Sequence, residues 1–165
     1  YEWTDAVPDV MSIAKGLGSG FPIGAVLATT EAAKGMTPGT HGSTFGGNHL
    51  ATTVADAVLE TILEDGFLAN VSAVSEVLRQ QLEELCGRHP TVFKSVRGAG
   101  LMLGIECISL NLDLMSMAQE EGLLTVVAGE NVLRLVPPLI IEEHHVEEAI
   151  EILNKVAERG ALVND

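Results

Sequence analysis

The sequence predicts an α/β protein, and three observations carry that prediction. Short apolar runs of strand length alternate with Gly, Pro, Ser and Thr clusters through residues 1–48, and glycine-punctuated apolar runs return after residue 91. Apolar residues recur at helical spacing over 50–63, 68–86 and 142–159. Hydrophobic residues make up 47% of the 165 and charged residues 19%, enough for a sizeable core and too apolar a mixture for general disorder.

Each element can be justified in order. Pro8-Asp9 reads as a turn into a buried strand, Val10-Met11-Ser12-Ile13-Ala14, and Ile23-Gly24-Ala25-Val26-Leu27-Ala28 is a second run of strand length. Residues 39–47 form a glycine-rich loop, after which the composition turns to helix formers at Asn48. Leu50, Val54, Ala57, Val58, Thr61 and Ile62 mark the first long helix, with Gly66 as its stop. A second helix over 68–86 carries Val71, Val74, Leu78, Leu82 and Leu85 on one stripe, with Gly87 as its C-cap and Pro90 beyond. This helix reads as a connector (67–90) between a first unit, 1–66, and a compact α/β unit, 91–165. The second unit opens with a glycine-punctuated strand region over 96–106 and a short helix over 112–121 stopped by Gly122. Strands over 123–127 and 132–136 flank the turn Ala128-Gly129-Glu130-Asn131. The last helix, 142–159, has Val146, Ala149, Ile150, Leu153, Val156 and Ala157 as its apolar face, and its acidic start and basic end suit the helix dipole.

Charge narrows the partners. Twenty-three acidic residues against nine basic ones leave a net charge of −14, which repels nucleic acid and anionic membrane surfaces. Cys86 and Cys107 form neither a disulfide framework nor a zinc signature and read as small buried thiols in a reducing compartment. The five histidines lack metal-ligand spacing, so no metal is expected. No apolar run reaches the length of a membrane span, and the opening residues lack the pattern of a signal peptide. The expectation is a soluble, cytoplasmic protein.

Three signals could carry chemistry. Lys15 follows the first strand among small residues, Ala14-Lys15-Gly16-Leu17-Gly18-Ser19-Gly20, which leave room for a bulky group. A lysine desolvated at a strand end can lose its proton and condense with a carbonyl. In the loop His41-Gly42-Ser43-Thr44-Phe45-Gly46-Gly47, successive backbone N–H groups and two hydroxyls could converge on an anion at a helix start. It is neither a Walker A loop nor a dinucleotide fingerprint, and a plain capping loop explains it equally well. Arg134 lies inside the apolar run Val132-Leu133-Arg134-Leu135-Val136 and needs an anionic partner, either a protein carboxylate or a substrate carboxylate.

Together these segments resemble the class III pyridoxal-phosphate aminotransferases. Residues 8–25 are similar to that family's cofactor-lysine motif, His41-Gly42-Ser43-Thr44-Phe45-Gly46-Gly47-Asn48 to its phosphate loop, and Leu133-Arg134-Leu135-Val136-Pro137-Pro138-Leu139 to its substrate-carboxylate segment. The acetylornithine aminotransferases are the subfamily resembled most, with the ornithine, succinylornithine and 4-aminobutyrate enzymes close by. The resemblance implies part of a fold-type I transferase: the end of the large cofactor domain over 1–66, the connecting helix, and the small C-terminal domain over 91–165. It implies pyridoxal 5'-phosphate as cofactor, with Lys15 holding it as a Schiff base and moving the proton, and Thr44 binding its phosphate. It also implies Ser43 and Arg134 as substrate contacts, and N2-acetylornithine and 2-oxoglutarate as substrates in arginine biosynthesis. A homodimer with sites shared across its interface follows from the same likeness.

Two departures stand out. His49 replaces the proline that relatives usually carry, and only fourteen residues precede Lys15, too few to supply the acid that the family places under the pyridine nitrogen. The expectation is therefore a piece of a longer enzyme, inactive as 165 residues alone. A non-catalytic dimerisation fragment and a simple phosphate-binding module are the competing readings.

Overall fold

A computed structural model describes Tyr1 and residues 4–163. The chain divides into two compact units, Tyr1–Phe67 and Leu68–Asp165.

In the first unit, β1 (Val10–Ile13) pairs antiparallel with β2 (Ala25–Ala28), joined through a 3₁₀ turn at Lys15–Gly18. The short helix α1 (Thr30–Ala33) follows, capped by the Thr29 hydroxyl, which accepts from Ala32 N at 3.2 Å. After the glycine-rich loop comes α2 (His49–Ile62), which packs against the 3₁₀ turn. The strands fall where the sequence places them, but the expected burial of the first does not hold. β1 alternates between exposed and half-buried positions and β2 is exposed throughout. Two strands alone present both faces and both edges, and no layer among the described residues of this unit covers them. The inner face of α2 also differs from the expected stripe. Ala51 and Ala55 are buried while Leu50 is 63% exposed, so the small side chains make the close contacts. Its end comes at Ile62, four residues before Gly66, which instead takes a φ of 88° in the turn ahead of the next helix.

The second unit is a four-stranded antiparallel sheet with its core packed against three helices. α3 (Phe67–Arg88) leads into the hairpin of β3 (Phe93–Ala99) and β4 (Met102–Cys107). Helix α4 (Asn111–Glu120) follows, then the hairpin of β5 (Val126–Ala128) and β6 (Val132–Leu135), and finally α5 (Glu143–Val163). The strand order is β3-β4-β6-β5. Leu103, Ile105, Leu133 and Leu135 occupy alternate positions on one face of the sheet. They form one core with Leu78, Leu82 and Leu85 of α3, Leu114 of α4, and Val146, Leu153 and Val156 of α5. The helix read as a connector thus contributes its whole apolar stripe to this core.

Two expectations here are corrected. The region 96–106 is two strands, because Gly98 (φ 127°) and Gly100 (φ 54°) turn the chain back on itself. Gly87 does not cap α3: the helix continues to Arg88, with His89 N bonding Leu85 O at 3.0 Å, and Pro90 ends it by lacking an N–H. Both cysteines are free and buried, as expected. Desolvation pushes the Cys107 thiol up to about 11. Among the described residues no helix is long and apolar enough to cross a membrane, and no cluster of side chains has the makeup of a metal site.

Candidate functional site

Lys15 opens the 3₁₀ turn at the end of β1 with a φ of 53°, in the left-handed region that a residue with a Cβ seldom adopts. The backbone reverses here through hydrogen bonds from Ser19 N to Gly16 O at 3.1 Å and from Phe21 N to Gly18 O at 2.8 Å. Gly18 is required at the tight point, since a Cβ there would stand 2.8 Å from Ile23 Cγ2. The Lys15 side chain is exposed in this unit and makes no ion pair among the described residues. Its exposure follows from its place in the turn beyond the β1–β2 ribbon, which no layer among the described residues of this unit covers.

The glycine-rich loop reaches α2 through a compact turn. Gly46 N donates to Ser43 O at 3.2 Å, and Asn48 N to Phe45 O at 3.2 Å. Asn48 then caps α2, its Oδ1 accepting from Ala51 N at 3.0 Å while its Nδ2 donates to Phe45 O at 2.8 Å. The Ser43 and Thr44 hydroxyls lie in the exposed part of this loop, ahead of the helix start. The loop does cap a helix, but the cap is Asn48, which leaves the two hydroxyls uncommitted to it.

Arg134 lies in the second unit at the middle of β6, on the opposite face to Leu133 and Leu135. The ladder places it between Gly104 of β4 and Val126 of β5, with Arg97 of β3 across Gly104. Gly104 keeps that row clear: a Cβ there would meet Val132 Cγ1 at 2.7 Å. Arg97 is satisfied by Glu130, with both guanidinium nitrogens 3.0 Å from its Oε2. Arg134 is not. Its Nε is buried without a hydrogen-bond acceptor, and no carboxylate of the described residues pairs with it. Leaving a buried donor unpaired costs about 1–3 kcal/mol, and more when it is charged. Of the two partners the sequence left open, the protein carboxylate is the one the structure lacks.

The sequence reading missed a polar network beside this strand. Asn131, in the turn before β6, and Asn111, at the start of α4, bond each other and the ends of β4, β5 and β6. A hint lay in the Gly129-Glu130-Asn131 turn, since asparagine tolerates a positive φ and its carboxamide can satisfy local backbone groups.

The donor set of the first unit suits pyridoxal phosphate by its chemistry: a primary amine without an ion pair among the described residues, and two exposed hydroxyls ahead of a capped helix. Lys15, Ser43 and Thr44 belong to the first unit and Arg134 to the second.

Comparison with known proteins points the same way. Residues 1–157 match the family described as aminotransferase class-III. The chain is 48% identical over 164 residues to an acetylornithine aminotransferase of Brucella melitensis, covering 99% of this chain and 41% of that protein. It is 42% identical to the acetylornithine aminotransferase of Bacillus subtilis, covering 99% of this chain and 42% of that protein. Among solved structures, an acetylornithine aminotransferase from Elizabethkingia anophelis aligns with a TM-score of 0.84 at 32% identity, over 94% of this chain and 40% of that one. The ornithine δ-aminotransferase of Plasmodium falciparum aligns with a TM-score of 0.85 at 31% identity, again over 94% and 40%. The chain thus spans about 41% of the length of the curated relatives it matches.

Proposed function

The chain belongs to the class III aminotransferase family, with the α/β fold of fold-type I transferases, and from that premise we propose that it serves as part of a longer enzyme that transfers the amino group of N2-acetylornithine to 2-oxoglutarate. The products would be N-acetylglutamate 5-semialdehyde and glutamate, and the cofactor pyridoxal 5'-phosphate. The observation that carries this reading is the Arg134 guanidinium, whose buried Nε has no acceptor and so suits an incoming carboxylate. The choice of acetylornithine rests on the names its relatives bear.

When bound, pyridoxal phosphate supplies an aldehyde for the amine and a conjugated ring that takes up the electrons released at carbon. Lys15 would hold it through Nζ; once displaced by the incoming amine, the same nitrogen would take a proton from the amine-bearing carbon and return one to complete the transfer. The Thr44 hydroxyl would donate to the cofactor phosphate and Ser43 would contact the substrate beside it. Arg134 would hold the α-carboxylate of both substrates in turn.

Residues 1–66 are proposed as the end of the cofactor domain, 67–90 as the connecting helix, and 91–165 as the small domain; the break at Phe67 supports the first boundary, and the helix packs with the small domain. A homodimer in which Thr44 serves the neighbouring subunit's site is part of the proposal. Support comes from the apolar residues that the first unit exposes beside this loop, Phe45 at 78% and Leu50 at 63%. A cytoplasmic setting agrees with two free thiols.

The test is steady-state kinetics of the full-length enzyme of which this chain is part, supplied with pyridoxal phosphate and 2-oxoglutarate, against acetylornithine, ornithine and succinylornithine. The highest kcat/KM is expected for acetylornithine. A preference for the unacetylated amine would move the assignment to an ornithine aminotransferase, and failure of every amine would refute the transfer itself.

A further inference from the structure

We infer that Asn111 and Asn131 are positioning residues for the Arg134 guanidinium, a carboxamide clasp that fixes the register of the strand carrying it. The inference rests on the reading of Arg134 as the carboxylate-binding residue. Asn131 immediately precedes β6 at a φ of 57°. Its backbone carbonyl accepts from Cys107 N at 2.9 Å. Its Nδ2 donates to the carbonyls of Cys107 and Ser109 at 2.8 and 2.9 Å, and its Oδ1 accepts from Asn111 N at 2.8 Å. Asn111 Nδ2 donates to the carbonyls of Ala128 and Val132 at 3.2 and 3.0 Å. The end of β4, the end of β5, the start of β6 and the first residue of α4 are thereby tied at one point. Both N–H donors of each carboxamide are used on main-chain carbonyls, so neither amide has freedom to rotate.

Register is what this arrangement protects. Arg134 lies three residues beyond Asn131, about 10 Å along the strand. Successive side chains of β6 alternate faces, so a slip of one residue against β4 would send the guanidinium into the apolar core and turn a leucine outward. The turn itself is a poor guarantee, because Glu130 and Asn131 are consecutive residues at positive φ without being glycine. The Arg97–Glu130 pair also reaches this turn, but its side chains are 51% and 81% exposed, and such pairs contribute little. Asn111 is buried, and its bond to the Val132 carbonyl is shielded from water. The clasp is therefore the stronger of the two constraints.

The experiment is kinetic and uses the full-length enzyme of which this chain is part. Asn131→Gly keeps the positive φ while removing three side-chain hydrogen bonds, and Asn111→Ala removes two. Each is expected to raise KM for both carboxylate substrates about tenfold with kcat within about twofold, as a small misplacement of a binding group does. Val156→Ala, which destabilises the same unit from α5, is the control and leaves KM in place. Asn111→Ser is the milder variant should the others fold poorly: it shortens the side chain that reaches the Ala128 and Val132 carbonyls, leaves the main-chain N–H that Asn131 Oδ1 accepts, and is expected to raise KM likewise. KM values at the parent level in the asparagine variants, while Arg134→Gln raises KM, would overturn the clasp and leave the carboxylate reading standing. An Arg134→Gln protein with unchanged KM would overturn both.

Discussion

Replacing Gly98 by alanine separates two costs that glycine substitutions usually confound. Gly98 lies in β3 just before the turn of the β3–β4 hairpin, at a φ of 127°, and a Cβ there would stand 2.1 Å from Met102 O, a backbone atom that cannot swing aside. Gly100, two residues on, has a φ of 54° and open space around its Cβ position. Alanine at either site gains roughly 0.4–1 kcal/mol by restricting the unfolded chain, a term that cancels in the comparison. Alanine at Gly100 then loses about 1–2 kcal/mol for the left-handed backbone, a net change near 1 kcal/mol. At Gly98 the backbone strain is about 1–3 kcal/mol, and forcing the hairpin apart adds overpacking of about 1–3 kcal/mol. The expected gap between the two variants is about 3 kcal/mol, or roughly 1.5 M in a urea midpoint at a slope near 2 kcal/mol/M. Urea unfolding followed by far-ultraviolet circular dichroism measures it. Equal midpoints for Gly98→Ala and Gly100→Ala would refute the argument, because nothing but the clash and the wider φ separates the sites.

Three further outcomes follow from single contacts. Asn48→Ala, which removes the cap of α2, is expected to cost about 1 kcal/mol of stability while Asn48→Asp stays near the parent, measured by calorimetry. Glu106 is held below its usual carboxylate value by hydrogen bonds from Lys94 and then Ser95, so its contribution exists above the unfolded pKa and fades as pH falls through the lower folded value. Urea midpoints of the parent and Glu106→Gln should therefore differ at pH 7 and converge as the pH falls below the ordinary carboxylate range. At pH 8 roughly one Cys107 side chain in a thousand is thiolate, given its pKa of about 11. Iodoacetamide should leave Cys86 and Cys107 unmodified in the native protein and alkylate both in urea, as read by mass spectrometry.

How much of this was legible in the sequence varied with how local the determinants are. The last helix was readable because Val146, Ile150, Leu153 and Val156 repeat with the helical period and all face one core. The inner face of α2 was not, because Ala51 and Ala55 pack closely where size alone pointed to Leu50. Glycine was informative without being specific. Gly98 and Gly100 announced an interruption, but only the pairing of β3 with β4 shows it to be a hairpin, and Gly87 signalled a stop that Pro90 makes. Lys15, Ser43, Thr44 and Arg134 stood out as residue types in unusual company. That Arg134 Nε is buried without a partner among the described residues is a property of the fold and left no trace in the string. The asparagine clasp escaped for a related reason: its hydrogen bonds join residues 17 to 24 positions apart and produce no periodicity.

The central claim, that Lys15 is the residue through which this chain takes part in amino-group transfer, is tested most directly by chemical trapping. The full-length enzyme of which this chain is part is incubated with pyridoxal phosphate, reduced with borohydride, and mapped by peptide mass spectrometry. The account predicts a single pyridoxyl adduct, on Lys15, that is lost in Lys15→Ala. No adduct, or one scattered over Lys34, Lys94 and Lys155, would contradict it.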